Sequence, residues 1–111
     1  VQNIEVDRLI TPKIQSKFVK KKIEISLDNQ SSSTYTVLNV ITNDRQRLLY
    51  DISRILLRNK LLIFTAKIST NGDFVEDSFH LRTEYGSKLT SELKIKNLKA
   101  EIFELLSDKD I

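Results

Sequence analysis

Hydrophobic and polar positions sort most of the chain into six periodic blocks. Ile23, Ile25 and Leu27 alternate with Lys22, Glu24, Ser26 and Asp28, the period-2 pattern of a strand with one buried face. The run Asp28-Asn29-Gln30-Ser31-Ser32-Ser33 breaks that pattern, because short polar side chains compete for backbone hydrogen bonds and favour turns. Residues 34–42, Thr-Tyr-Thr-Val-Leu-Asn-Val-Ile-Thr, are rich in side chains that fit a pleated surface. They predict a second strand, paired with the first as an antiparallel hairpin. Asn43 and Asp44 end this strand and offer a helix N-cap. Leu48, Leu49, Ile52, Ile55, Leu56 and Asn59 then recur at helical spacing to about Lys60, with Asp51, Arg54 and Arg58 between them.

Residues 63–70 predict a third strand, with Phe64, Ala66 and Ile68 assigned to the core face. Asn71-Gly72-Asp73 reads as a hairpin turn, glycine supplying the positive φ that tight turns need. The return strand covers residues 74–83, with Val75, Asp77, Phe79 and Leu81 on one face and Glu76, Ser78, His80 and Arg82 on the other. Tyr85-Gly86-Ser87 breaks the chain again before a last helix at about 91–106, with Leu98, Ile102 and Leu105 inward. The order ββαββα lets both helices bury their stripes only against one face of a four-stranded antiparallel sheet, a two-layer α+β sandwich. Residues 1–17 carry neither period and hold the only proline, Pro12, so they read as a linker to a domain at 18–111.

Composition narrows the class. With 111 residues, 40% hydrophobic and 30% charged, the chain suits one domain with a single core. No apolar run approaches the length of a membrane span, so no membrane partner is expected. Zero Cys excludes disulfides and thiolate chemistry and suits a cytoplasmic location. Met is also absent and Val1 stands first, so the sequence reads as a piece of a longer protein. The net charge of +3 is unevenly spread: residues 1–22 hold six bases and two acids, leaving twelve bases and thirteen acids for the rest. The basic cluster Lys17-Phe18-Val19-Lys20-Lys21-Lys22 therefore reads as a solvated connector, and no nucleic-acid partner is expected.

Three groups of residues carry a resemblance. They are Thr36-Val37-Leu38-Asn39-Val40; Asp44-Arg45-Gln46-Arg47-Leu48-Leu49-Tyr50-Asp51-Ile52; and the pairing of Ala66-Lys67-Ile68-Ser69-Thr70-Asn71-Gly72 with Val75-Glu76-Asp77-Ser78-Phe79. Together they resemble the ACT domain, a small regulatory module that binds amino acids, and most of all the C-terminal ACT domains of bacterial PII uridylyltransferases. A plant group of tandem ACT-repeat proteins shares much of the pattern. The resemblance implies a ferredoxin-like sandwich. It also implies a parent that attaches uridylyl groups to the PII signal protein and removes them, with glutamine as effector and magnesium at catalytic domains outside this chain. ACT domains generally run βαββαβ, whereas here the sequence after the last helix is too short and polar for a strand. Residues 23–27 are expected to fill the usual last-strand slot.

Family members place the effector at the first strand-to-helix loop, facing the second strand of a neighbouring ACT unit. Carried over, that implies Asn43, Asp44, Gln46, Arg47 and Leu48, with Ile63, Phe64 and Thr65 opposite. Asn43 and Asp44 are candidates for an α-ammonium, and the backbone N–H groups near Arg47 and Leu48 for an α-carboxylate. The family usually reads Asp-Arg-Pro-Gly-Leu-Leu, so Arg47 takes the glycine position. Its side chain either crowds the effector or offers it a guanidinium. The alternative function is an ACT interaction module that binds no small molecule. Asp73, Glu76 and Asp77 are the densest acidic cluster, but Glu76 and Asp77 point to opposite faces of a strand, against a shared metal. Asp77 is expected to accept hydrogen bonds from the turn around Thr70 and Gly72, and His80 to be an ordinary exposed strand residue. No nucleophile has an oriented base, so the chain is not expected to be catalytic alone.

Overall fold

The computed structural model describes residues 23–43 and 47–108. The predicted linker, the basic cluster, and Asp44 and Gln46 lie outside them. The elements are β1 (Ile23–Asp28), β2 (Thr36–Asn43), α1 (Leu48–Arg58), β3 (Leu61–Asn71), β4 (Phe74–Thr83) and α2 (Glu92–Asp108). All four strands form one antiparallel sheet in the order β1-β2-β4-β3. β1 thus lies on the outer edge of β2, the place expected for it. No helix among the described residues is long and apolar enough to cross a membrane.

One sheet face carries the core. Leu38 and Val40 of β2, Val75, Phe79 and Leu81 of β4, Leu48, Ile52, Ile55 and Leu56 of α1, and Leu98, Ile102 and Leu106 of α2 are buried in a single cluster. Ile23, Ile25 and Leu27 of β1 pack against its rim. Both helices therefore lie on the same side, α1 nearest β3 and α2 nearest β1, as the ββαββα order demands. Leu106 takes the fully buried place expected of Leu105, which is only partly covered.

Local chemistry sets the ends of the elements. Ser91 Oγ accepts from Lys94 N at 3.2 Å and caps α2. Asn43 is not a cap, because β2 continues through it and pairs it with Phe74. The cap position of α1 falls on Arg47, with φ 63° and no side-chain cap hydrogen bond. Gly72 has φ 67° in the β3–β4 turn, the left-handed backbone expected there. At the far end of α1, Asn59 Nδ2 donates to Ile55 O at 2.7 Å and to Glu101 Oε1 at 3.1 Å, and Arg58 pairs with Glu101 of α2. Partial burial opposes ionisation of Glu101, but these donors win and hold its carboxyl below the ordinary value.

A closed ring of hydrogen bonds fastens the β1–β2 turn to the chain before α2. Thr36 Oγ1 donates to Asn29 Oδ1 at 2.5 Å, Asn29 Nδ2 donates to Leu89 O at 2.9 Å, and Leu89 N donates back to Thr36 Oγ1 at 2.8 Å. Lys88 Nζ adds a bond to Asn29 O at 2.8 Å. Thr36 is fully buried, so cutting the ring strands polar atoms without water. T36V is expected to lower unfolding stability by about 1–3 kcal/mol, measured by urea denaturation.

Candidate functional site

The residues named from the family pattern divide between two ends of the sheet. Asn43, Arg47 and Leu48 sit where β2 leads into α1, at the Phe74 end of β4. Ile63 and Thr65 pair with Leu81 and His80, near the other end. Phe74 and His80 are six positions apart, about 20 Å along a strand at ~3.3 Å per residue. One chain does not bring the two groups together. Leu48 is buried in the core, Ile63 is half-buried against it, and Arg47 and Thr65 are exposed.

Phe64 is not a core residue. A bulge separates Ile63, paired with Leu81, from Thr65, paired with His80, and Phe64 is the extra residue between them. The bulge turns its ring to the open sheet face, where it is 49% exposed. There the Tyr35 ring lies 5.3 Å from Phe64 and stacks on His80 at 5.5 Å. The Arg82 guanidinium carbon is 4.8 Å from the Tyr35 centroid and 4.7 Å from that of Phe64. The open face, expected to offer Glu76, Ser78, His80 and Arg82, therefore also holds two aromatics. Their faces are taken up by each other, His80 and Arg82. His80 is accordingly half-buried in a stack and not simply solvated.

A cleft of about 580 Å³ opens between the first turn of α1 and the strands β3 and β4. Ala66 and Ile68 keep the helix-side parity expected of them, opposite Phe79 and Asp77. They lie beyond the cover of the helices, so Ile68 stays 51% exposed and forms part of the cleft wall. Arg47, Tyr50, Ser53 and Thr70 also line it. The Arg47 guanidinium carbon sits 4.8 Å above the Tyr50 ring, which draws the side chain along the helix and leaves it at the cleft wall. Arg47 keeps the left-handed backbone that its place in the family pattern gives to glycine.

Asp77 also lines the cleft. It is 1% exposed, and neither carboxylate oxygen has a hydrogen-bond partner. The bonds expected from the Thr70–Gly72 turn are not made: Asp77 lies opposite Ile68 and Val40, and Thr70, although it lines the same cleft, gives it no hydrogen bond. Thr42, diagonal to it on the same face, is buried with its Oγ1 equally unpartnered. Loss of solvent pushes the Asp77 carboxyl up to about 6. Among the described residues, no three of His, Cys, Asp and Glu gather to hold a metal ion.

The two-layer ββαββα sandwich is that of a regulatory module, and the chain belongs to the ACT-domain family. A family model described as "ACR9-like, ACT-like domain" matches residues 24–108. The chain is 38% identical over 84 residues to the bifunctional uridylyltransferase/uridylyl-removing enzyme of Azospirillum brasilense, covering 76% of this chain and 9% of that enzyme. The protein of the same name from Ruegeria pomeroyi is 37% identical over 84 residues, with the same two shares. The ACT domain-containing protein ACR2 of Arabidopsis thaliana is 35% identical over 78 residues, 70% of this chain and 16% of that protein. The chain thus spans about a tenth to a sixth of these relatives. No solved structure gives a significant match.

Two predictions concern stability. The folded-state pKa of Asp77 is raised above its ordinary 3.8, so its contribution is fully present below about pH 4 and is lost as pH rises through about 6. D77N is therefore expected to gain stability on the wild type by about 2–3 kcal/mol between pH 4 and pH 7, in paired urea titrations. At Arg47 a left-handed backbone costs an L-residue about 1–2 kcal/mol, of which the Tyr50 contact returns about 0.5. R47G is expected to raise stability by about 0.5–1 kcal/mol, read from the denaturation midpoint.

Proposed function

We propose that this chain is an amino-acid-sensing regulatory domain, with glutamine as its effector, within a longer cytoplasmic protein that attaches uridylyl groups to the PII signal protein and removes them. The observation that carries the sensing part is the cleft at the β2–α1 turn. Its volume of about 580 Å³ lies in the range of small-molecule sites. Similarity to enzymes named for both uridylyl transfer and uridylyl removal supports the parent. The magnesium implied by the family belongs in this reading to catalytic domains elsewhere. An effector regulates only by binding one arrangement of the parent better than another. The α1–β3 side, where an effector would touch both a helix end and the sheet edge, is suited to that role.

A second reading is an ACT unit that pairs with another ACT unit and binds no small molecule. Two features favour it. Arg47 fills the glycine position, and among the described residues β3 pairs only with β4, leaving an edge strand on which Leu62, Phe64 and Ile68 are exposed. Isothermal titration of L-glutamine into this chain and into the longer protein separates the readings. Saturable heat in either supports sensing. Flat titrations in both, with a dimer by light scattering, would leave pairing as the function.

A further inference from the structure

The helices cover one face of the sheet, and the face they leave open is polarised along β4. Glu76, Ser78, His80 and Arg82 follow one another on it at every second position. Glu76 is exposed towards one end, and no cation among the described residues pairs with it. At the other end the Arg82 guanidinium lies over both the Tyr35 and the Phe64 rings. Those contacts fix its position but use none of its five N–H donors. Its Nε is buried without a hydrogen-bond partner, and no carboxylate among the described residues pairs with it. An arginine held in place by aromatics with its donors unused is prepared for a bidentate acceptor from outside the domain. Leu62 and Phe64 beside it are 43% and 49% exposed, so that acceptor must arrive with apolar surface. Tyrosine, phenylalanine and arginine in one patch are the composition of an interface hot spot.

We propose that this open face is an interface between two copies of the chain, stacked sheet on sheet about a two-fold axis that crosses β4 midway between Glu76 and Arg82, so that Arg82 of each copy pairs with Glu76 of the other. The two residues are six positions apart on one face of one strand, about 20 Å. Stacking β4 antiparallel on its copy brings the cationic end of each sheet onto the acidic end of the other, and symmetry makes the contact twice. Stacking it parallel sets Arg82 against Arg82, which like charges disfavour. In the antiparallel arrangement the Tyr35 ring falls opposite Ile41 of the other copy, a half-buried residue beside Glu76 on the same face. The strand spacing and rise give the face an area of about 600 Å², hence about 1,200 Å² for two copies, the lower bound of stable interfaces. This surface is separate from the β3 edge considered above. Edge pairing extends the sheet, whereas stacking covers it and leaves the cleft on the helix side open in both copies, so it is independent of effector sensing.

The test is sedimentation equilibrium of the 111-residue chain from about 5 to about 500 μM. A reversible monomer–dimer equilibrium is expected, with Kd of about 1–100 μM, weakening as salt is raised. R82E and E76R each set like charges against one another at both ends and are expected to weaken the dimer by about tenfold or more. The double variant E76R/R82E leaves the net charge unchanged and restores both pairs with their signs exchanged, so it is expected to recover most of that loss. Circular dichroism checks that all three are folded. E76R alters an exposed side chain away from the rings, so its effect does not depend on how the ring cluster tolerates R82E. A chain that stays monomeric throughout overturns the proposal and leaves the Arg82 patch to a partner of another sequence. A dimer that neither single variant weakens overturns it in favour of the β3 edge. A double variant no tighter than R82E overturns it as well, since the two residues then do not meet.

Discussion

Everything in this fold depends on β2 having a partner on each side. Thr36, Val37, Leu38, Val40 and Thr42 are buried, so the backbone groups between them have no water and must bond to neighbouring strands. β4 satisfies one edge from Thr36 to Asn43, and β1 satisfies the other from Val37 to Thr42. Once β2 is central, its helix-side residues Leu38 and Val40 form the floor on which α1 and α2 meet. The Asn29–Thr36–Leu89 ring then matters beyond its own three bonds. It holds the turn that delivers β1 to that edge and ties it to the chain entering α2, the helix that covers β1.

The same architecture leaves the other end of the sheet under-built. α1 covers the β4 side of the core but does not close over β3, which is why Ile68 has the right parity and yet remains half exposed. The gap between helix and edge strand is the cleft. Its wall holds a left-handed backbone at Arg47 and a buried carboxylate without a partner at Asp77. Departures of this kind gather at functional sites, where local stability is exchanged for binding. Both belong to residues that line one cleft.

Most of the architecture was legible because it rests on periodicity. The alternation of Val75, Phe79 and Leu81 with Glu76, Ser78 and His80 gives β4 its bounds and both its faces, and the recurrence of Leu48, Ile52, Ile55 and Leu56 gives α1 its buried stripe. The failures are local and have physical causes. Period 2 alone places Phe64 inward because it cannot anticipate a bulge, and one extra residue turns a side chain to the opposite face. Asn43 looked like a cap because its side chain suits one, but pairing with Phe74 keeps it in the strand. Asp77 was visible as a carboxylate among core positions. Its lack of a partner was not, since that depends on how neighbouring side chains such as Thr70 are placed in three dimensions and not on spacing along the chain. The cleft itself is a property of helix placement, which no spacing in the chain encodes.

The placement of β1 also bears on how the sheet assembles. Its register runs from Asp28 opposite Val37 to Ile23 opposite Thr42, so every pair is a short excursion along the chain. Where the family's edge strand follows the second helix, closing that edge waits on a contact between the two ends of the domain. Here the same edge is closed by a hairpin, the kind of local contact that forms in microseconds and lowers contact order. The slowest search is left to the pairing of β2 with β4, across the whole of α1 and β3.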